Sequence, residues 1–97
     1  MITITMHRDK KHRYTGFTIS GHADYDEACA AVSALSQTAL LGLMQYASQD
    51  VPYEVNDGFL SVQVPKPCEA SQIILGTMVA GLEQIVRQYG EYVVLDS

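Results

Sequence analysis

An imidazole and a thiol lie within one short window, Gly21-His22-Ala23-Asp24-Tyr25-Asp26-Glu27-Ala28-Cys29. Such a pair can cleave an amide: the imidazole takes the thiol proton, holds the thiolate as an ion pair and later protonates the leaving amine. If Asp26 is a helix N-cap, Cys29 falls at the third helical position, where unpaired backbone N–H groups and the helix dipole favour the thiolate. The same first-turn N–H groups, that of Cys29 included, could then donate to the oxyanion of a tetrahedral intermediate. Asp24 or Asp26 could orient His22, and Gly21 gives the loop freedom to move. The plain reading of a cysteine near a helix start is a small buried hydrophobe. Catalysis is favoured over it by the Gly-His loop, the acids and the cysteine occurring together, on a helix whose other residues look like core.

The elements that must position this window follow from periodicity. Ile2, Ile4 and Met6 alternate with Thr3, Thr5 and His7, and Phe17 and Ile19 alternate with Thr18 and Ser20, which predicts two strands joined across the charged run Arg8 to Arg13. Ala28, Val32, Leu35, Ala39, Leu43 and Tyr46 recur three or four apart and predict a helix over about 27 to 49, capped by Asp24 or Asp26. Tyr53 to Val55 and Phe59 to Val64 predict a second hairpin around Asn56-Asp57-Gly58, whose residues tolerate positive φ. Ile74, Met78, Gly81, Ile85 and Tyr89 mark a second helix ending at Gly90, and Glu91 to Leu95 a last strand. The expected class is α+β in ββαββαβ order, a mainly antiparallel sheet of about five strands with two α-helices packed on it, one domain over residues 1–97. Helices so free of charge also point to a homodimer, because one sheet face covers only one side of each.

Composition sets the outer bounds. Ninety-seven residues, 47% apolar and 18% charged, can build a core, which excludes intrinsic disorder. A net charge of −5 argues against a protein that coats nucleic-acid phosphate, so no direct nucleic-acid partner is expected. Two cysteines are too few for a disulfide scaffold, and the cytoplasm is the expected setting. Ala28 to Gln49 holds no charged residue and is long enough to span hydrocarbon, but Ser33, Ser36, Gln37, Thr38, Gln45, Ser48 and Gln49 would be costly there. It reads as a soluble helix buried on more than one side, with no membrane partner.

Gly21-His22-Ala23, followed by Asp26-Glu27-Ala28-Cys29-Ala30-Ala31-Val32-Ser33-Ala34, resembles the signature of the ribosomal-processing cysteine protease (Prp) family, Gly-His-Ala, a loop, then Asp-x-x-Cys-Ala-x-Val-Ser-Ala. Size and element order are similar along nearly the whole chain. The resemblance implies Cys29 as nucleophile, His22 as general base and Asp26 at the place of the family aspartate. It implies a supporting place for Ser33, which shares a helix face with Cys29. It further implies a homodimer, needing neither metal nor other cofactor, that removes a short N-terminal extension from a large-subunit ribosomal protein after an aromatic residue. Members usually carry a longer, glycine-containing segment between His and Cys, and here only Ala23 to Ala28 intervene.

Other features have plainer readings. His7 to Arg13 holds four of the six basic residues and reads as a solvated hairpin tip. Cys68 reads as structural. A zinc site from His22, Asp24 and Cys29 would lack a fourth ligand and the usual spacing, so no metal is expected. Two alternatives to the ribosomal substrate stand: a non-catalytic dimeric binding module with the same fold, and a phage-related protease acting on a capsid or scaffold protein.

Overall fold

The computed structural model describes residues 1–47 and 50–97. In chain order its elements are β1 (Ile2–Arg8), β2 (Tyr14–Ser20), α1 (Asp26–Tyr46), β3 (Tyr53–Asn56), β4 (Phe59–Gln63), α2 (Glu69–Tyr89) and β5 (Val93–Asp96). This is the α+β arrangement and the ββαββαβ order expected. The strands form one sheet in the order β3-β4-β2-β1-β5. All neighbours are antiparallel except β1 and β5, whose parallel pairing follows from the long return through α2.

Period-two alternation gives the sheet one apolar face. Ile2, Ile4 and Met6 of β1, Phe17 and Ile19 of β2, Leu60 and Val62 of β4 and Val93 of β5 are buried in a single cluster with Leu43 of α1 and Leu75 and Leu82 of α2. The opposite face carries residues such as Thr3, Thr18 and Gln63 and stays wetter. The two helices approach closely where side chains are small: a methyl group on Gly81 would stand 3.2 Å from Leu35, and one on Gly42 3.5 Å from Ile74. Helix α1 is long and apolar enough by length and composition to cross a membrane. Its buried stripe is Ala28, Val32, Ser36, Ala39, Leu40 and Leu43, of which all but Ser36 belong to the apolar core. The expectation of burial on more than one side does not hold within one chain, since Leu41 and Tyr46 are 63% and 66% exposed.

Several boundaries differ from those the sequence predicts. Neither Asp24 nor Asp26 caps α1; the N-cap is Tyr25, without a side-chain cap bond, and Asp26 is the first helical residue. The acidic pair Asp26 and Glu27 instead complements the positive end of the helix dipole. Ser48 and Gln49, where the sequence carries the first helix on to 49, lie outside the described residues. Helix α2 begins at Glu69 behind a capping box: Cys68 is the N-cap, its sulfur accepts the Ser71 backbone N–H, and the Ser71 hydroxyl oxygen accepts the Cys68 N–H at 2.9 Å. Strand β5 starts later than Glu91 because Tyr92 turns back, its N–H donating to the Tyr89 carbonyl at 2.8 Å.

The basic hairpin tip is internally ordered. The Asp9 carboxylate accepts the backbone N–H groups of Arg13 and Lys11 and pairs with the Arg13 guanidinium at 2.9 Å, and these bonds, the Arg13 backbone N–H foremost, hold its pKa below the ordinary value. The Arg8 guanidinium lies 4.3 Å from the centre of the Tyr14 ring. Phe17, on the central strand, is the largest of the fully buried side chains. Phe17→Ala is expected to lower unfolding free energy by about 3–5 kcal/mol, measured by urea denaturation.

Candidate active site

The segment leaving β2 delivers His22 and helix α1 delivers Cys29, and both line a cleft of about 540 Å³ between α1 and the β3–β4 hairpin. Its walls are Val32, Ser33, Ser36, Gln37 and Leu40 of α1, facing Val55 and the turn that follows it. Gly21 lies at the same rim, with φ of 96° and its Cα against the Met1 carbonyl, a conformation and a closeness that exclude a side chain. The amino group of Met1 donates to the His22 carbonyl at 2.5 Å.

Cys29 sits one residue further into the helix than an Asp26 cap would place it. With Tyr25 as N-cap, the Cys29 N–H completes the first helical bond, to the Tyr25 carbonyl at 3.2 Å, and the Ala28 N–H shares that acceptor at 3.1 Å. The Cys29 N–H is therefore already engaged, contrary to its expected place among the unpaired first-turn donors. Asp26 and Glu27 hold the N–H groups with no acceptor inside the helix. The half-buried Cys29 thiol donates to the Ala23 carbonyl at 3.4 Å.

The carboxylates sort differently from the sequence expectation. Asp24 and Asp26 are exposed and neither lines the cleft. Among the described residues, the carboxylate placed beside His22 is Asp57, its Oδ1 3.6 Å from Nε2. Asp57 and its neighbour Gly58 read in the sequence only as turn formers. The signal that would have found them is register: β2 and β4 pair Thr18 with Ser61, Ile19 with Leu60 and Ser20 with Phe59. Continued by two residues, that register sets Gly21 opposite Gly58 and His22 opposite Asp57. The Gly21 N–H donates to the Gly58 carbonyl at 2.9 Å. Ser33 stands at the cleft one turn beyond Cys29, and its carbonyl accepts the buried Ser36 hydroxyl at 3.2 Å.

The His22–Cys29 segment is anchored from behind by tyrosines. The Tyr25 ring stacks on Tyr92 with centroids 5.1 Å apart and an interplanar angle of 7°, and meets Tyr89 at 5.4 Å. A hydrogen bond with Glu27 raises the Tyr25 hydroxyl above its ordinary pKa. The second cysteine, Cys68, lies outside the cleft, and the Ser71 backbone N–H, followed by the Ser71 hydroxyl, holds its thiol below the ordinary pKa. Both cysteines are free thiols. Among the described residues no three His, Cys, Asp or Glu side chains are grouped to hold a metal ion.

Comparison with known proteins gives a consistent picture. The family model for cysteine protease Prp matches residues 1–94. The ribosomal processing cysteine protease Prp of Staphylococcus aureus strain Mu50 is 30% identical over 105 aligned positions, covering 99% of this chain and 98% of the relative. A crystal structure of an essential ribosomal processing protease Prp from S. aureus, in complex with a covalently linked product peptide, superposes with a TM-score of 0.90 at 26% identity, covering 99% of this chain and 98% of that one. A structure of that S. aureus protease with a substrate peptide shares the fold, with a TM-score of 0.85 at 23% identity and the same coverage.

Tyr25→Ala is expected to destabilise by about 2 kcal/mol through lost burial and stacking, and to speed amide exchange between Gly21 and Asp26. Tyr25→Phe keeps the stack and is expected to change both by far less, as read by denaturation and hydrogen exchange.

Proposed function

The chain belongs to the cysteine protease Prp family, and from that premise we propose that Cys29 is the nucleophile and His22 the general base of its peptide-bond hydrolysis. The observation that carries this reading is the shared cleft: the half-buried thiol at the start of α1 and the imidazole at the end of β2 both face it. At rest the thiol proton is directed to the Ala23 carbonyl. Reaction begins when the thiol exchanges that acceptor for the imidazole. The thiolate then attacks the scissile carbonyl, the imidazolium returns its proton to the leaving amine as the tetrahedral intermediate collapses, and an imidazole-activated water hydrolyses the thioester. Asp26, the residue matching the family aspartate, acts from the first turn of α1 by helping to set the helix start, while Ser33 stands with the thiol along the cleft.

The substrate we assign is a short N-terminal extension of a large-subunit ribosomal protein, cut after an aromatic residue in the cytoplasm. Its support is the name of the S. aureus relative, the apolar walls Val32, Leu40, Val55 and Leu60, and a net charge of −5 that draws in a basic protein. Self-association is supported by the uncharged exposed face of α1, Leu41 included, and by Ile73 of α2, 60% exposed. A dimer is the expected mass in light scattering, and a monomer at micromolar concentration removes this part of the reading.

The deciding experiment incubates the protein with a ribosomal protein carrying such an extension and reads the product by mass. Cys29→Ala is expected to abolish cleavage while leaving fold and mass unchanged; equal processing by Cys29→Ala and the parent would leave the cleft a binding groove only. His22→Ala is expected to lower kcat by about 10²–10⁴ and to slow alkylation of Cys29 near neutral pH. Unchanged thiol reactivity excludes His22 from the mechanism.

A further inference from the structure

Behind the His22 imidazole stands the two-residue turn between β3 and β4, and the ring is seated on the face of Gly58 where a side chain would begin. A Cβ built on Gly58 would collide with His22 Nε2 and stand 2.9 Å from Cδ2 and 3.1 Å from Cε1. Gly58 also adopts φ of 70°. The backbone angle alone explains a glycine in a hairpin turn and points to no function, since Asn and Asp adopt it too. The seating of the ring is a separate demand, and a glycine meets both without displacing the imidazole.

Resting on the Cys–His reading above, we propose that the β3–β4 turn is a positioning element for the His22 base, with Gly58 as a positioning residue that acts by having no side chain. Two features set the geometry: the Gly21 N–H bond to the Gly58 carbonyl at 2.9 Å holds the backbone, and the ring occupies the space where a Gly58 Cβ would stand. Asp57 adds little. Its Oδ1 is 3.6 Å from Nε2, beyond hydrogen-bond reach, and the two side chains are 65% and 99% exposed. A pair so wet is screened by solvent. The contact with Gly58 is steric and unaffected by solvent. A general base displaced by a side chain's width loses its line to the thiol, and misplacements of about 1 Å cost up to about a hundredfold in rate.

The test uses the full chain carrying Cys68→Ser, which retains an N-cap and leaves Cys29 the one thiol to alkylate. Gly58→Asn accepts the positive φ but introduces the Cβ. It is expected to lower kcat by about ten- to a hundredfold with KM within about threefold, measured on a peptide with an aromatic residue before the scissile bond. Alkylation of Cys29 by iodoacetamide across pH is expected to follow the profile of His22→Ala, and Gly58→Asn is expected to add nothing in a His22→Ala background. Asp57→Asn is expected to change kcat by less than about fivefold. If Gly58→Asn melts early, the His22→Ala/Gly58→Asn double variant is expected to regain the melting temperature of His22→Ala, because the obstructed ring is gone. A kcat for Gly58→Asn within about twofold of the parent, an equal slowing of alkylation in both backgrounds, or a double variant that stays unstable overturns the role of Gly58. His22→Ala with undiminished kcat and alkylation would overturn the Cys–His reading itself, an outcome separate from these.

Discussion

A slip of one residue between β2 and β4 would turn Phe17 and Ile19 from the helices to water, so the apolar face fixes the register of the sheet's centre. The pairing that buries Phe17 beside Val62 also ends at Ser20 and Phe59, and the chain has nowhere to put the next residues except against one another. Gly21 meets Gly58, and His22 meets Asp57. The placement of the imidazole is thus a by-product of core burial. About 1.5–3 kcal/mol for each large apolar side chain holds that register. A single exposed ion pair contributes about 0–1 kcal/mol and could not set it alone.

The same hierarchy explains what could be read from the sequence. Strand and helix identity rest on local periodicity, and Ile2, Ile4, Met6, Phe17 and Ile19 lie on the apolar face that alternation assigns them. The joining of His22 and Cys29 in one cleft was equally accessible, because a strand feeding directly into a helix leaves them few ways to separate. The N-cap was not. Asp26 is the better capping residue by type, but the Tyr25 side chain is wanted on Tyr89 and Tyr92, and an aromatic stack across distant segments outweighs a cap bond of about 1 kcal/mol. Shifting the helix start by one residue moves Cys29 to the position that closes the first helical turn, which engages its N–H. Asp57 and Gly58 were invisible as site residues for a different reason: their relation to His22 spans 35 and 36 positions, and only the strand order brings them together.

Cysteine context shows why residue type alone is a poor guide to role. The Ser71 N–H and hydroxyl hold the Cys68 thiol below its ordinary pKa, yet those same bonds commit its sulfur to capping α2, away from the cleft. Cys29 instead donates to a single carbonyl at 3.4 Å, a long and weak bond. Both thiols are half-buried, and of the two it is Cys29 that opens on the cleft.

The short connection between His22 and Cys29 gains its meaning from how it is tied. Each residue held in one conformation forfeits about 1–2 kcal/mol of backbone entropy, so ordering a long loop around substrate draws that sum from binding. Here the Gly21 N–H is bonded to Gly58, the His22 carbonyl accepts the Met1 amino group, and Tyr25 is stacked on Tyr92. Most of the ordering is therefore met during folding, by contacts that do not involve the peptide. A segment built this way has less reach and holds the His22 imidazole and the Cys29 thiol in fewer arrangements. A short segment tied in this way exchanges reach for preorganisation, and the cleft it borders is closed opposite α1 by residues from Val55 to Leu60.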